Sequence, residues 1–493
     1  MARPSLWCKA HPRETWQHLT VVPPSLPPPS QGSSAPPESS PPDGGTREGP
    51  PHFSVFGVPV RVTLGFWVIT LLFGISFRNK LALGFAWTLI VFVSVLLHEL
   101  GHAVVARRYG ARPAITLHGF GGLTTYADPG GLTRPRRAWI SLAGPFAGFL
   151  FGGLVLFFTR SAFVGKLTDG QQMIRSMVAF VNIGWGIINL LPVLPFDGGH
   201  VLEAALGPKR AITTRVVGAI VAVGVAAAAV ALLKQAFIIP LFFGLAAWTN
   251  YQQARQLWAA GIDQRDGVEA LLRDARTALE AGDLDQAYAL AQEVVQRAQT
   301  LPVRNGGFTA LAWVAITRGN GALARAAVRE VTPQWAVDPY TLAAVEDCAG
   351  DEDGARRVLE EARRHGLRAV EMTKLHVDLL ARQGRIADAV ALAFEDADLL
   401  PVADARAVVR AGIEADVLRP AAELAARLFE LHRQAEDAVE EARAHALLGD
   451  GTAALTALAQ AVAAGGLDKA RLLADPAFSP LSSDPRFSTL VGS

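Results

Sequence analysis

The amino-acid sequence predicts an all-α protein in two parts, a bundle of membrane-crossing helices followed by a helical solenoid outside the membrane. Residues 51–250 contain strongly apolar segments with 16 Lys/Arg against 5 Asp/Glu, whereas residues 251–493 are polar, with 26 Lys/Arg against 36 Asp/Glu. The polar part also repeats a short glycine-containing motif at a spacing typical of helical hairpins. The chain of 493 residues therefore joins a basic apolar half to an acidic repetitive half.

Residues 1–50 are rich in Pro, Ser and Gly and contain no apolar core, so we expect a disordered tail without a secretory signal. The only cysteines, Cys8 and Cys348, lie in different regions, which predicts no disulfide framework. The basic residues of the apolar half flank apolar runs and do not form one patch, which argues against nucleic acid as a partner.

Six apolar segments follow the tail, and a membrane crossing needs about 20 apolar residues. Their approximate bounds are 63–77, 82–105, 138–158, 177–196, 216–233 and 236–248. The first segment reaches a sufficient length only with help from the preceding FGVPV, and the sixth is short enough to enter the membrane only in part. We expect about six transmembrane helices in residues 51–250, with the lipid bilayer around them.

The charges of the loops orient these segments. If the N-terminal tail is cytoplasmic, the loops on the cytoplasmic side hold 9 Lys/Arg, with a cluster at Arg134–Arg137, and the opposite loops hold 5. The positive-inside rule favours this orientation, and the cluster is then an anchor of topology. An even number of crossings also places the C-terminal half in the cytoplasm, with Trp248, Tyr251 and Trp258 at the membrane interface. The Arg- and Ala-rich composition is typical of a prokaryotic source, and for such a chain we expect the plasma membrane as the location.

The second apolar segment contains HELGH at residues 98–102. Residues four apart lie about 40° apart around a helix, so His98 and His102 can meet one metal ion. Glu99, next to His98, can reach a water molecule bound to that ion. This is the H-E-x-x-H pattern of zinc hydrolases, in which the glutamate is the general base. Ionisable side chains are costly in an apolar segment, which further indicates a site.

A catalytic zinc site usually has three protein ligands and a water molecule, so one ligand is missing from this motif. The stretch NLLPVLPFDGGH, residues 189–200, supplies Asp197 at the end of a segment that runs in the same direction. Pro192 and Pro195 should break the helix before the aspartate, and the two following glycines should loosen the chain after it. We therefore expect one Zn²⁺ per chain.

Taken together, these motifs resemble the site-2 protease family of intramembrane zinc metalloproteases (M50-type). The match covers residues 54–250, with HELGH in the second segment, SLAGP at the start of the third and NLLPVLPFDGG at the end of the fourth. FGVPVRV and LHGFGGLTTY resemble the prokaryotic six-span branch. The resemblance implies that His98, His102 and Asp197 hold zinc, that Glu99 activates the water, and that the substrate is a membrane protein cut in or beside its transmembrane helix.

The same resemblance suggests how a substrate binds. ITLHGFGGLTTY looks like the family's membrane-dipping β segment, which includes Gly121 and Gly122 and could pair with an unwound substrate strand. Asn189 matches a family asparagine that helps to hold this strand, although polar contact between helices is an alternative role. GLTTY could instead be an ordinary loop. His118 and His200 are expected to support a ligand or to lie at the membrane surface, and not to bind the metal.

The C-terminal half repeats a Gly-x4-Ala pattern in the stretches AGDLDQA, RGNGALA, AGDEDGA, QGRIADA and LGDGTAA. The glycines are Gly282, Gly319, Gly350, Gly384 and Gly449, at gaps of 37, 31, 34 and 65 residues. The last gap is close to two periods, with a degenerate unit near Ala415. A period of about 34 residues is that of the tetratricopeptide repeat, in which glycine suits the turn and alanine lets the helices approach. Residues 265–493 therefore resemble this family, and an unrelated helical-hairpin solenoid is the alternative.

The sequence thus predicts four regions: the disordered tail 1–50, a zinc protease domain 51–250, a linker 251–264 and a tetratricopeptide-like domain 265–493. We expect an intramembrane endopeptidase that acts on a single-span membrane protein. Its repeats would recruit a substrate, a cytosolic adaptor or a second copy of the chain. The alternatives are a membrane-anchored repeat scaffold with an idle or structural zinc site, and a zinc hydrolase that acts on something other than peptides.

Overall fold

A computed structural model describes residues 53–75, 81–119, 121–127, 130–160, 165–232, 238–465 and 469–491 of the chain. The described residues are mostly helical and divide into two compact units at Gly267. The tail that the sequence predicts to be disordered lies outside these residues. The stretch 251–264, assigned above to a linker, is helical throughout and belongs to the last helix of the first unit.

A four-stranded sheet opens the first unit and continues after its second helix. The strands are β1 (Phe53–Val55), β2 (Val58–Val62), β3 (Pro113–His118) and β4 (Gly121–Tyr126), in the spatial order β1-β2-β3-β4. β2 runs parallel to β3, and the two outer pairs are antiparallel. Alternate side chains of the two inner strands, such as Val60 and Ile115, are buried in one hydrophobic cluster with Leu100 and Ala103.

This sheet changes two sequence-based expectations. FGVPV does not lengthen the first apolar helix, because valines at alternate positions form β2, and the helix begins only at Leu64. The β segment predicted around GLTTY is present as β4, so the alternative of an ordinary loop is wrong.

The helices of the first unit are α1 (Leu64–Gly74), α2 (Leu81–Arg108), α3 (Arg134–Phe158), α4 (Asp169–Ala179), α5 (Trp185–Asn189), α6 (Asp197–Leu206), α7 (Ala211–Leu232) and α8 (Ile238–Arg265). Within the described residues, three helical stretches are long and apolar enough to cross a membrane: Leu81–Arg108, Arg134–Phe158 and Pro208–Leu232. They correspond to the second, third and fifth predicted segments. The first segment forms the 11-residue α1, so six crossings stay a prediction.

The fourth apolar segment is interrupted. A π-helical turn, Phe180–Gly184, joins α4 to α5, which ends at Asn189. The two prolines lie in the irregular stretch 190–196, as predicted from their effect on helices. The expectation that Gly198 and Gly199 loosen the chain is wrong. Both are buried in the first turn of α6, where an added Cβ would collide with the backbone of that stretch.

The second unit is an array of six helical hairpins in the described part of the chain. The paired helices are α9 (Val268–Glu280) with α10 (Leu284–Arg297), α11 (Leu301–Thr317) with α12 (Gly321–Arg329), α13 (Pro339–Cys348) with α14 (Glu352–Arg364), α15 (Val370–Arg382) with α16 (Ile386–Glu395), α17 (Val402–Glu414) with α18 (Leu418–His432), and α19 (Ala435–Leu447) with α20 (Gly451–Ala464). Two short helices, α21 (Lys469–Ala474) and α22 (Pro485–Val491), follow the array.

Every hairpin turn contains a residue with a positive φ. The five repeat glycines have φ between 70° and 81°, and the alanine that follows each of them by five residues is buried. In the degenerate unit, Asp416 has φ 60° and Ala421 is fully buried, so an aspartate occupies the position of the glycine. The predicted helix–turn–helix period is confirmed, and membership of the tetratricopeptide family stays a prediction.

Buried carboxylates connect neighbouring hairpins. Arg363 of α14 donates to Asp396 at 2.5 Å, and the Thr373 hydroxyl donates to the same carboxylate at 2.8 Å. Burial alone would raise the pKa of Asp396, but hydrogen bonds from Arg363, Thr373 and Arg368 outweigh it and hold the pKa below its usual range. The same kind of pairing recurs in the array: Arg382–Asp347 and Arg406–Asp437.

Candidate metal centre

Three of the predicted site residues converge on one point. His98 and His102 lie one turn apart on α2, and Asp197 is the first residue of α6. Nε2 of His98 lies 3.1 Å from Oδ2 of Asp197, Nε2 of His102 lies 3.3 Å from Oδ1, and the two Nε2 atoms are 3.2 Å apart. One ligand atom from each residue therefore lies within 4.8 Å of the others. Two imidazole nitrogens and a carboxylate oxygen are a donor set of catalytic zinc sites, so the residues fit this metal.

The orientation of His102 is fixed by α3. Nδ1 of His102 lies 2.7 Å from the carbonyl oxygen of Ile140, which can only accept, so Nδ1 carries the proton and Nε2 offers its lone pair to the site. Gly144 faces Nε2 so closely that an added Cβ would overlap the imidazole ring. Gly101 has a similar role in the approach of the two helices, since a Cβ there would collide with the Ala143 carbonyl. Gly144, the glycine of SLAGP, therefore leaves room for the imidazole ring of His102.

The position of Asp197 depends on the irregular stretch 190–196, and Asn250 of α8 holds this stretch. Asn250 is 1% exposed, and its Nδ2 donates to the carbonyl oxygen of Leu194 at 2.7 Å. Gly218 of α7 lies beside it, where an added Cβ would be 2.6 Å from Oδ1 of Asn250. In the sequence, Asn250 stands out only as a lone asparagine at the end of an apolar segment, which does not reveal this role.

Glu99, the predicted general base, is only 5% exposed and lies beneath β4. The hydroxyl of Thr124 donates to Oε2 of Glu99 at 2.6 Å. Gly122 lies directly against the same carboxylate, so that any Cβ there would collide with it. The strand thus covers the carboxylate and restricts its rotation. The role of Thr124 could not be predicted from the sequence, because its contact with Glu99 joins a strand to a helix and has no local pattern.

The other predicted residues lie near this centre in the chain, but their roles stay predictions. Asn189 is the half-buried last residue of α5. Gly121 opens β4 with φ 135° and is paired with His118 across the hairpin. Nδ1 of His200 on α6 lies 3.7 Å from Oε2 of Glu203. Among the described residues, neither His118 nor His200 contributes an atom to the converging group of metal-ligand atoms.

Comparisons with known proteins agree with this chemistry. Residues 161–231 match the model of peptidase family M50. The chain is 30% identical over 159 residues to a zinc metalloprotease of Methanocaldococcus jannaschii, a match that covers 32% of this chain and 45% of the relative. It is 33% identical over 166 residues to a putative zinc metalloprotease of Synechocystis, with 31% and 42% covered. A putative zinc metalloprotease of Mycobacterium tuberculosis is 29% identical over 257 residues, with 46% and 62% covered.

Among solved structures, the site-2 protease from Methanocaldococcus jannaschii is 27% identical, with a TM-score of 0.32; the match covers 41% of this chain and 94% of that chain. The chain spans less than two thirds of the length of the curated relatives described above, at 45%, 42% and 62%. The family model and the relatives support a membrane zinc metalloprotease of the M50, site-2 protease type. The His98–His102–Asp197 group is compatible with the zinc that these relatives imply.

Proposed function

We propose that the chain is an intramembrane zinc endopeptidase that hydrolyses a peptide bond in or near the transmembrane helix of a membrane protein. One observation carries the proposal: two imidazoles on a strongly apolar, membrane-length helix converge with the carboxylate of Asp197, and the buried Glu99 stands next to the first imidazole on the same helix. Such groups are costly in hydrocarbon surroundings, and a metal that neutralises them offsets this cost.

In this proposal His98, His102 and Asp197 hold one zinc ion per chain. Bound zinc supplies a Lewis acid that lowers the pKa of a water molecule and polarises the scissile carbonyl. Glu99 accepts the proton of the attacking water and delivers it to the leaving amine. The hydrogen bond from Thr124 holds Oε2 and so restricts the rotation of the carboxylate that would act as the base.

The sheet supports an extended mode of substrate binding. A peptide carbonyl in a helix is already hydrogen-bonded, so the substrate must unwind before its bond can be attacked. In the described sheet β4 pairs only with β3, and its outer edge can accept a further strand. Gly121 and Gly122 lie at the start of this edge, and Gly122 lies directly against Glu99. Asn189 would help to hold the added strand.

The proposal includes about six membrane crossings in a prokaryotic plasma membrane, with both termini in the cytoplasm. The three long apolar helices support a membrane location, and the excess of Lys/Arg in alternate loops supports the orientation. The hairpin array, as a tetratricopeptide-like domain, would recruit a single-span substrate, a cytosolic adaptor or a second copy of the chain.

The substitution Glu99→Gln tests the enzyme against a scaffold with an idle zinc site. The variant should keep the zinc of the purified chain and lose cleavage of a membrane-helix substrate, because glutamine has the shape of glutamate but cannot act as a base. The inactive variant can then trap substrates for identification. Equal cleavage by the variant and the wild-type chain would disprove the proposed mechanism. If the wild-type chain hydrolyses non-peptide esters but no peptide bond, the alternative of a zinc hydrolase that acts on something other than peptides is favoured.

A further inference from the structure

A cavity of about 720 Å³ lies between the C-terminal end of α3 and the helix α4. Arg160, Lys166 and Arg175 contribute to its wall, together with the polar side chains of Gln172 and Ser176. No acidic residue is among its described lining residues. Within the described part of the chain, no carboxylate forms an ion pair with any of the three cations.

Three positive charges around one cavity repel each other, so the arrangement favours an anionic ligand. The chemistry of the wall is that of a phosphate site, since guanidinium, ammonium, amide and hydroxyl groups all donate hydrogen bonds to phosphate oxygens. The guanidinium of Arg160 also lies over the ring of Phe157, 5.4 Å from its centroid, which restricts where this charge can move.

The position of the cavity indicates which phosphate it would hold. α3 is one of the stretches able to cross a membrane, and the cavity lies at the end of this helix opposite to the Arg134–Arg137 cluster. The cavity is therefore at the level where lipid headgroups begin. Apolar side chains that directly follow lining residues in the chain are exposed on α3, α4 and the π-helical turn: Phe157, Met173 and Phe180.

We propose that this cavity binds the phosphate headgroup of an anionic phospholipid, whose acyl chains contact the exposed apolar side chains beside it. Charged headgroups are recognised by basic pockets between transmembrane helices in the same way. The site is separate from the metal centre, because no zinc ligand lines the cavity. The proposal gives Arg160, Lys166 and Arg175 a ligand. In the sequence these three residues had only been counted among the loop charges that orient the membrane segments.

Native mass spectrometry of the full chain in detergent, with added phosphatidylglycerol or phosphatidylcholine, tests the proposal. The wild-type chain should retain phosphatidylglycerol in preference to phosphatidylcholine. The variant Arg160→Gln/Lys166→Gln/Arg175→Gln should lose about tenfold or more of this binding, as expected when charge-assisted hydrogen bonds are removed. The matched control is Arg112→Gln/Lys209→Gln/Arg210→Gln, which removes three exposed cations elsewhere in the same unit and should bind as the wild-type chain does.

Two results would overturn the proposal without depending on the folding of the triple variant. Equal retention of both lipids by the wild-type chain would show that no anion is recognised. Complete displacement of phosphatidylglycerol by millimolar inorganic phosphate would assign the cavity to free phosphate and not to a lipid. Unchanged binding in the triple variant would also reject it, and zinc content with size-exclusion behaviour reports whether that variant is folded.

Discussion

The hydroxyl of Thr124 on β4 and the carboxylate of Glu99 on α2 form a hydrogen bond of 2.6 Å. This bond connects the sheet to the proposed base, and it leaves the zinc ligands untouched. A substitution of Thr124 should therefore change the orientation of the base without changing the binding of the metal. Most substitutions near a metal centre change both properties together.

We expect Thr124→Val to lower cleavage of a membrane substrate by about tenfold, the loss typical of a hydrogen bond to a charged group. Zinc per chain should not change, as measured by elemental analysis of the purified variant. Thr124→Ser keeps the hydroxyl and should restore most of the activity. The control is Thr125→Val, because Thr125 is exposed on the other side of the strand; an equal loss there would refute the role of Thr124.

Gly144→Ala should reduce zinc occupancy strongly, because the added methyl group would overlap the His102 ring and displace Nε2 from the other ligands. The measurement is zinc per chain after dialysis against a weak chelator. Gly153→Ala on the same helix is the matched control, since no atom lies within 4 Å of the Cβ it would add. Full zinc retention in both variants would show that His102 can bind the metal in another orientation.

Asn250→Leu should weaken zinc binding by roughly tenfold to a hundredfold without touching a ligand, a range typical of residues that orient metal ligands. The reason is the loss of the hydrogen bond to Leu194, which holds the stretch before Asp197. Competition with a chromogenic chelator would measure the affinity. Gln253→Ala, on an exposed face of the same helix, should leave it unchanged. If Asn250→Leu binds zinc as tightly as the wild-type chain, the stretch is held by its other contacts.

Mild acid should loosen the hairpin array at His376, which is 7% exposed on α15. Burial is the main cause that lowers the pKa of His376 from its ordinary value of 6.5. A group with a lowered folded-state pKa binds its proton more readily when unfolded, so stability is lost as the pH falls below about 6.5. The carboxylates lose their contribution only at lower pH, since their ordinary pKa values are about 4.

Hydrogen exchange of residues 370–382, corrected for the intrinsic effect of pH, would measure this change between pH 7.5 and pH 5.5. His376→Leu should abolish the dependence, and substitution of the exposed His365 by Gln should leave it intact. Persistence of the pH effect in His376→Leu would assign it to another group.

Local patterns were sufficient for part of the site. The spacing of His98 and His102 follows from the helical repeat, and the prolines before Asp197 interrupt the helix as their chemistry requires. The hairpin turns were also predictable, because a glycine with positive φ marks them. In one hairpin Asp416 stands where the others have glycine, so the sequence pattern shows only a gap of about two periods between Gly384 and Gly449.

Contacts between distant segments could not be predicted in this way. Nothing near Thr124 or Asn250 in the sequence indicates which group each of them meets across the fold. The glycines after Asp197 were misinterpreted for the same reason: their flexibility is a local property, but the close approach of the preceding backbone is a tertiary one. The β character of FGVPV was obscured by its position next to an apolar helix.

The parallel pairing of β2 with β3 has a practical consequence for shortened versions of the protein. Cutting the chain just before Leu64 would preserve every helix that the structure describes, yet it would remove β2 from the side of β3 and expose a row of unpaired amide and carbonyl groups. Strands left open in this manner recruit other molecules and aggregate. β4 would lose the support of β2 behind β3, so we expect a truncated chain to bind zinc at the proposed site and still cleave its substrate poorly.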